Sequence, residues 1–308
     1  MVAGAKQFKT YAQQLALLEQ RGMLIEDQSS AEELLRQLNY YRLSGYWHPM
    51  RHFDAATGQS LDVFRSGASF ELVHQLYLFD EQLRHVVSGE LAPIELAVRA
   101  LLGHELGAID PTIHLKPDLL GAPAHQVASK RGETRYEIWL RKYEGALSAS
   151  REDFVVHHNN KYSGKLPIWA AVEVMDWGTL SHLFGMSPGR ARNPVADACG
   201  LRAPQLESWL KSLNILRNYS AHHARLFNRV FDIKPRLSND PRLAVAKGGE
   251  NRVFTQLTLI QYLHRELRLS AATALPALLA TYPANEVVPF KRLGAPEGWQ
   301  QSDLWSVR

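Results

Sequence analysis

The chain carries a single cysteine, Cys199, among 308 residues, which excludes an intrachain disulfide and fits a reducing compartment. It has no run of about 18 apolar residues, the length a membrane-spanning helix needs. The nearest approach, "LSAATALPALLATY", is short and contains Pro276. The opening "MVAGAKQFKTYAQQLALLEQ" lacks the apolar run of a signal peptide. Strand patterns are scarce, and neither a solenoid-type repeat nor a low-complexity segment stands out. Carboxylates are not clustered in the way a metal hydrolase requires, so neither a metal nor a cofactor is implied. These absences lead to the expectation of a cytoplasmic protein with no membrane partner.

What is present is a helix former's sequence. The hydrophobic fraction is 45%, enough for a sizeable core. Lys and Arg number 35 against 31 Asp and Glu, a net charge of +4, with a sequence pI of about 9.1. That mild excess permits an anionic partner such as nucleic acid without demanding one. Apolar residues recur at three- and four-residue spacing through most of the chain, so an all-α fold is expected. The expected organisation is an N-terminal helical segment over 1–52, a helical core over 53–270, and a short helix with an irregular tail over 271–308. Helices are expected over 10–22, over 30–47 with Ser30 and Glu33 as a capping box, and from Ser69 to about 107, kinked or divided at Pro93. Residues 51–70 read as a loop or short hairpin. Further helices are expected from a Ser150 cap, from Pro167 to Gly185, and in one piece from about 204 to Val230.

The last of these contains "SLNILRNYSAHHARLFNRV". Stepped at about 100° per residue, Asn218, His222, Arg225 and Arg229 fall in one stripe. Leu216, Tyr219, Leu226, Phe227 and Val230 form the core-facing side, with His223 among them. Arg217 flanks the polar stripe. An arginine can fork onto phosphate oxygens, and a histidine can move a proton to or from a ribose hydroxyl near neutral pH. An ordinary solvated helix face has the same pattern, so the chemical reading is open at this point. RNA cleavage by acid–base catalysis wants two proton-transfer groups, and two copies of this helix facing each other in a homodimer would supply them.

"RNYSAHH" resembles the Arg-x4–6-His motif of the HEPN superfamily, with a polar residue after the arginine. Four collinear stretches are similar to the Abi-like (abortive infection, AbiD/AbiF-type) branch of that superfamily: "LNYYRLSGYWHPMR", "FDEQLRHVVSGELAPIELAVRA", "KLPIWAAVEVMDWGTLSHLF" and "LRNYSAHHARLFNR". The resemblance spans roughly residues 8–265. It implies a HEPN-type helical bundle and a metal-independent endoribonuclease of an abortive-infection or toxin–antitoxin phage-defence system. Arg217 would hold the scissile phosphate, His222 would act as general acid or base with Asn218 as polar helper, and the product would end in a 2′,3′-cyclic phosphate. It also implies composite sites built from two protomers, and a small RNA or a protein antitoxin as partner. A non-catalytic HEPN module that binds RNA or a partner protein is the alternative.

Other residues bear on RNA. Arg225 and Arg229 extend the stripe. Arg42 and Arg51 stand among the aromatics of "NYYRLSGYWHPMR", of which Tyr40, Tyr46 and Trp47 are expected to pack. Arg99 and His104 repeat the Arg-x4-His spacing and suggest a second half-site, although Glu95 offers Arg99 an ion pair one turn away. Asp80, Glu81 and Arg84 read as helix charge pairs that need no function.

Overall fold

The computed structural model describes residues 6–269 and 273–306. The boundary expected at 270 and 271 falls outside them. The fold is an all-α bundle with one two-stranded hairpin among the described residues. Three short helices lead in: α1 (Tyr11–Gln20), α2 (Gln28–Leu38) and α3 (Tyr40–Trp47). The expected single helix over 30–47 is broken at Asn39, whose φ of 66° cannot continue a right-handed helix. Its side chain instead accepts from the Tyr41 amide and starts α3. The cap of α2 is Asp27, not Ser30; its carboxylate accepts from both the amide and the hydroxyl of Ser30.

Residues 51–64 form the hairpin, β1 (Arg51–Asp54) antiparallel to β2 (Gln59–Phe64). Ser69 then caps α4 (Phe70–Gly107), with its hydroxyl accepting from the Leu72 amide. Of the two alternatives at Pro93, division does not occur: α4 runs through it as one helix. An internal proline costs about 3 kcal/mol, but this helix packs against much of the rest of the molecule, so burial holds it together. The helix also runs through Gly103. A side chain there would meet Trp169 and Val172 at 3.1–3.2 Å, so the glycine lets the 168–174 segment approach.

After a connection of 3-10 turns come α5 (Arg135–Ala149), α6 (Asp153–Lys161), α7 (Ile168–Ala171), α8 (Trp177–Met186) and α9 (Gly189–Ala198). The helix expected from Pro167 to Gly185 is interrupted because Asp176 caps a new one, accepting from the Thr179 amide. Ser150 does not cap α6, which begins after Glu152. Next come α10 (Ala203–Ala221), α11 (Val253–Glu266) and α12 (Ala274–Leu279).

Every residue of α11 from Val253 to His264 is buried, which makes it the inner helix of the bundle. Its polar side chains tie it to its neighbours. Gln256 accepts from the Ser212 hydroxyl of α10, and the His264 ring bonds the Glu90 carbonyl of α4. The irregular tail returns to this helix, where Trp305 stacks on Phe254 and Trp299 meets both edge-on. One continuous cluster of buried side chains runs from Leu15 to Trp305. Among the described residues no helix is long and apolar enough to cross a membrane.

Candidate active site

Helix α10 stops at Ala221, nine residues before the expected end. The Ala224 amide bonds the Tyr219 carbonyl at 2.8 Å and the His223 amide bonds the Ser220 carbonyl at 3.3 Å. This is the Schellman pattern, and the residue after the cap must be left-handed. Here that residue is His223, with φ 54°. The stripe drawn through Arg225 and Arg229 therefore does not exist as a helix face. His223, expected to turn inward, is exposed, as is His222.

A carboxylate buried elsewhere in the chain holds the turn. Asp80 of α4 accepts from the Leu226 and Phe227 amides, the latter at 2.6 Å, from the Tyr46 hydroxyl at 2.7 Å, and from Arg84 at 2.7 Å. The Asp80 and Arg84 side chains are 0% and 3% exposed. Burial raises the Asp80 carboxyl above its ordinary value, opposed by the Tyr46 hydroxyl, the Arg84 charge and the two amides. The spacing of Asp80 and Arg84 predicts a helix charge pair that needs no function. They are instead the clasp that fixes the exit of the motif helix.

The basic residues divide by what already engages them. Arg225 is half-buried, donates to the Phe227 carbonyl and lies across Gly45, where a Cβ would come within 2.8 Å of its Nε. Arg229 donates to the Arg225 carbonyl and covers the Tyr219 ring at 4.2 Å. Arg51 pairs with Asp62 across the hairpin at 2.8 Å. Arg42 is exposed and gives one N–H to the His223 carbonyl, so it stands beside the helix end with donors to spare. Arg217 is exposed, and its guanidinium makes a long 3.4 Å contact to Asn218 Oδ1. Tyr46 and Trp47 are buried, as expected for packing, while Tyr40 is half-buried and Tyr41 exposed.

Opposite Arg217 lies the start of α8, which sequence reasoning missed. Burial alone would raise the Asp176 carboxyl. The Thr179 amide and hydroxyl, with the charges of Lys142 and Arg217, outweigh burial and hold it below its ordinary value. Asn214, one turn before Arg217, packs against Gly178. His182, one turn further along α8, is held below the ordinary histidine value by burial, then by Lys142, Arg135 and Lys211, against Asp176. Asp176 was legible as a cap, three residues before Thr179; nothing local marks His182.

The second Arg-x4-His pair is arranged differently. Arg99 is 12% exposed and donates to Glu95 at 2.7 Å and to the Met175 carbonyl at 2.9 Å, with Glu173 at 3.5 Å. His104 is 80% exposed, and its ring meets Glu105 at 3.2 Å. Arg99 thus braces the residue next to Asp176, and the structure does not bring the two together as a free phosphate fork and a proton carrier. Among the described residues no three His, Cys, Asp or Glu side chains converge as metal ligands.

The molecule is thus a helical bundle that presents arginine, asparagine and histidine where its motif helix ends in solvent. Residues 33–228 match the model of the family described as Abi-like protein, and the chain belongs to that family. Family membership points to abortive-infection defence against phage. The match ends at Asn228, one residue after the second amide held by Asp80. No curated protein and no solved structure matches the chain.

Proposed function

We propose that the chain is a metal-independent HEPN-type endoribonuclease acting in abortive-infection or toxin–antitoxin phage defence. The observation that carries this reading is the end of α10, where Arg217 and His222 are both exposed and Asn218 stands between them. Arg217 neutralises a non-bridging oxygen of the scissile phosphate. His222 takes the 2′-hydroxyl proton or returns one to the 5′-oxygen that leaves. The attack closes the ring to a 2′,3′-cyclic phosphate and frees a 5′-hydroxyl. Asn218 orients the arginine. Arg42 is the best-placed further phosphate contact, since it already stands at His223. Arg51, Arg225 and Arg229 hold the chain in shape, and Arg99 positions the α8 turn.

One chain supplies one His222, so the second proton carrier comes from a second copy in a homodimer. A small RNA or a protein antitoxin that covers the helix end would restrain the enzyme.

The test compares wild type with His222→Ala and Arg217→Ala on total RNA in EDTA. His222→Ala is expected to lose about 10²–10⁴-fold in cleavage, the size of a general acid–base contribution, and Arg217→Ala about 10²–10³-fold, the size of one electrostatic donor to the reacting group. Both residues are exposed, so folding is expected to survive. Equal cleavage by wild type and His222→Ala, or strict dependence on a divalent metal, overturns the mechanism. RNA binding with no cleavage would instead favour a non-catalytic RNA-binding module. A light-scattering mass of one chain under cleaving conditions would overturn the dimer.

A further inference from the structure

Apart from the helix end, the molecule has a second basic and aromatic surface. Residues 6–9, α1, α2 and the start of α3 enclose an open cleft of about 660 Å³. That volume lies within the roughly 300–1,000 Å³ of small-ligand sites. Its lining contains Lys6, Lys9, Arg21 and Arg36 and no carboxylate residue. Arg21 is committed to Asp62 at 2.9 Å. Arg36 meets Glu33 only at 3.4 Å, with both side chains more than half exposed, a pairing worth little in water. No described carboxylate pairs with Lys6 or Lys9.

Between these cations stand rings that the core does not use. Tyr41 is 67% exposed and Phe8 89% exposed. The Lys6 ammonium lies over the Tyr41 ring at 5.9 Å, and the Arg36 guanidinium over the Tyr11 ring at 5.3 Å. Tyr40 meets Tyr41 edge-on at 5.8 Å and is itself backed by Trp47 at 4.9 Å. The exposed ring therefore stands on a rigid base. Gln14 also lines the cleft. Its Nε2 donates to the Lys9 carbonyl, while its Oε1, shielded from solvent, has no donor among the described residues.

We infer that this cleft binds an unstacked nucleobase of single-stranded RNA, with its phosphate on Lys6, Lys9 or Arg36. Alternating rings and cations without acids is the composition that binds single strands, because every base has a π-face and every nucleotide a negative charge. The unsatisfied Gln14 carbonyl is an acceptor for an N–H on the base edge. The cleft would hold a strand to either side of the cut and so add affinity without touching the reacting phosphate. This inference rests on RNA being the substrate of the site at the end of α10.

The test uses the full chain with His222→Ala, so that RNA is bound and not cut. Fluorescence anisotropy in EDTA follows a labelled single-stranded oligoribonucleotide and an abasic strand of the same length. The base-bearing strand is expected to bind about tenfold more tightly than the abasic one, the size of one base–aromatic stack. Tyr41→Ala and Phe8→Ala are each expected to reduce that difference, and Tyr41→Phe to keep it. Both rings lie in solvent, so loss of fold does not confuse the result, and an unchanged thermal midpoint checks this. Equal affinity for both strands, or a difference that survives both alanine variants, overturns the cleft as a base site. AMP bound as tightly as the oligonucleotide overturns its assignment to RNA. Failure of the nuclease reading looks different: wild-type protein would then leave RNA intact while Tyr41-dependent binding persisted.

Discussion

At the residue scale, the two adjacent histidines have separate duties. His223 occupies the left-handed position that ends α10, a conformation costing an ordinary residue about 1–2 kcal/mol. Its carbonyl, not its ring, makes the contact with Arg42. Replacing it with glycine is expected to raise the free energy of urea unfolding by up to about 1 kcal/mol, because glycine adopts that conformation without strain. His223→Val should do the opposite, since a branched Cβ is least tolerated there. Cleavage by His223→Gly is expected to match wild type; its loss would place the His223 ring in the chemistry. The sequence pattern set the two histidines on different helix faces, with His223 turned inward, whereas both are exposed. It assumed a helix through Val230, whereas the Schellman turn usually announces itself with glycine and here uses histidine. His222 and Arg217 could be named as candidates from the sequence because their chemistry and spacing are local.

At the scale of elements, the geometry of the site depends on a tie between α4 and the exit of α10. Truncating Asp80 removes the acceptor of two backbone amides, a tyrosine hydroxyl and a guanidinium at once. Asp80→Ala is expected to lower stability by about 3–5 kcal/mol, the penalty for leaving a buried charge and its partners uncompensated. Chemical denaturation measures it, and a change below about 1 kcal/mol would show that the turn holds itself. This tie was invisible in the sequence. Asp80 and Arg84 read as a helical i,i+4 pair, and no local pattern says that amides more than 140 positions later complete the set. By contrast, the Ser69 cap, the hairpin and the buried Tyr46 and Trp47 were readable, because caps, turns and aromatic burial are properties of short segments. The breaks at Asn39 and Asp176 were misread because apolar spacing continues across them while the backbone does not.

At the scale of the whole molecule, acid should weaken the fold before its carboxylates titrate. His114 is fully buried, meets the Tyr143 ring edge-on at 5.3 Å, and has no hydrogen-bond partner at either ring nitrogen among the described residues. Burial pushes it down to about 4, against the opposing charge of Asp110. An unfolded chain protonates this ring near pH 6.5 while the folded chain does not, so stability is complete above pH 6.5 and falls as pH drops towards 4. Between pH 7 and 5 the loss is expected to be about 2 kcal/mol. His114→Phe should flatten that stretch of the profile; an unchanged slope would mean that other groups carry it. The Asp80 clasp also has a consequence in time. During synthesis Asp80 leaves the ribosome long before Leu226 and Phe227 exist, with only nearby side chains to answer it. The nascent chain therefore cannot set the end of α10 until Leu226 and Phe227 have been translated, more than 140 positions after Asp80. If that end cuts RNA, copies that stop short of those residues lack the clasp that orders it.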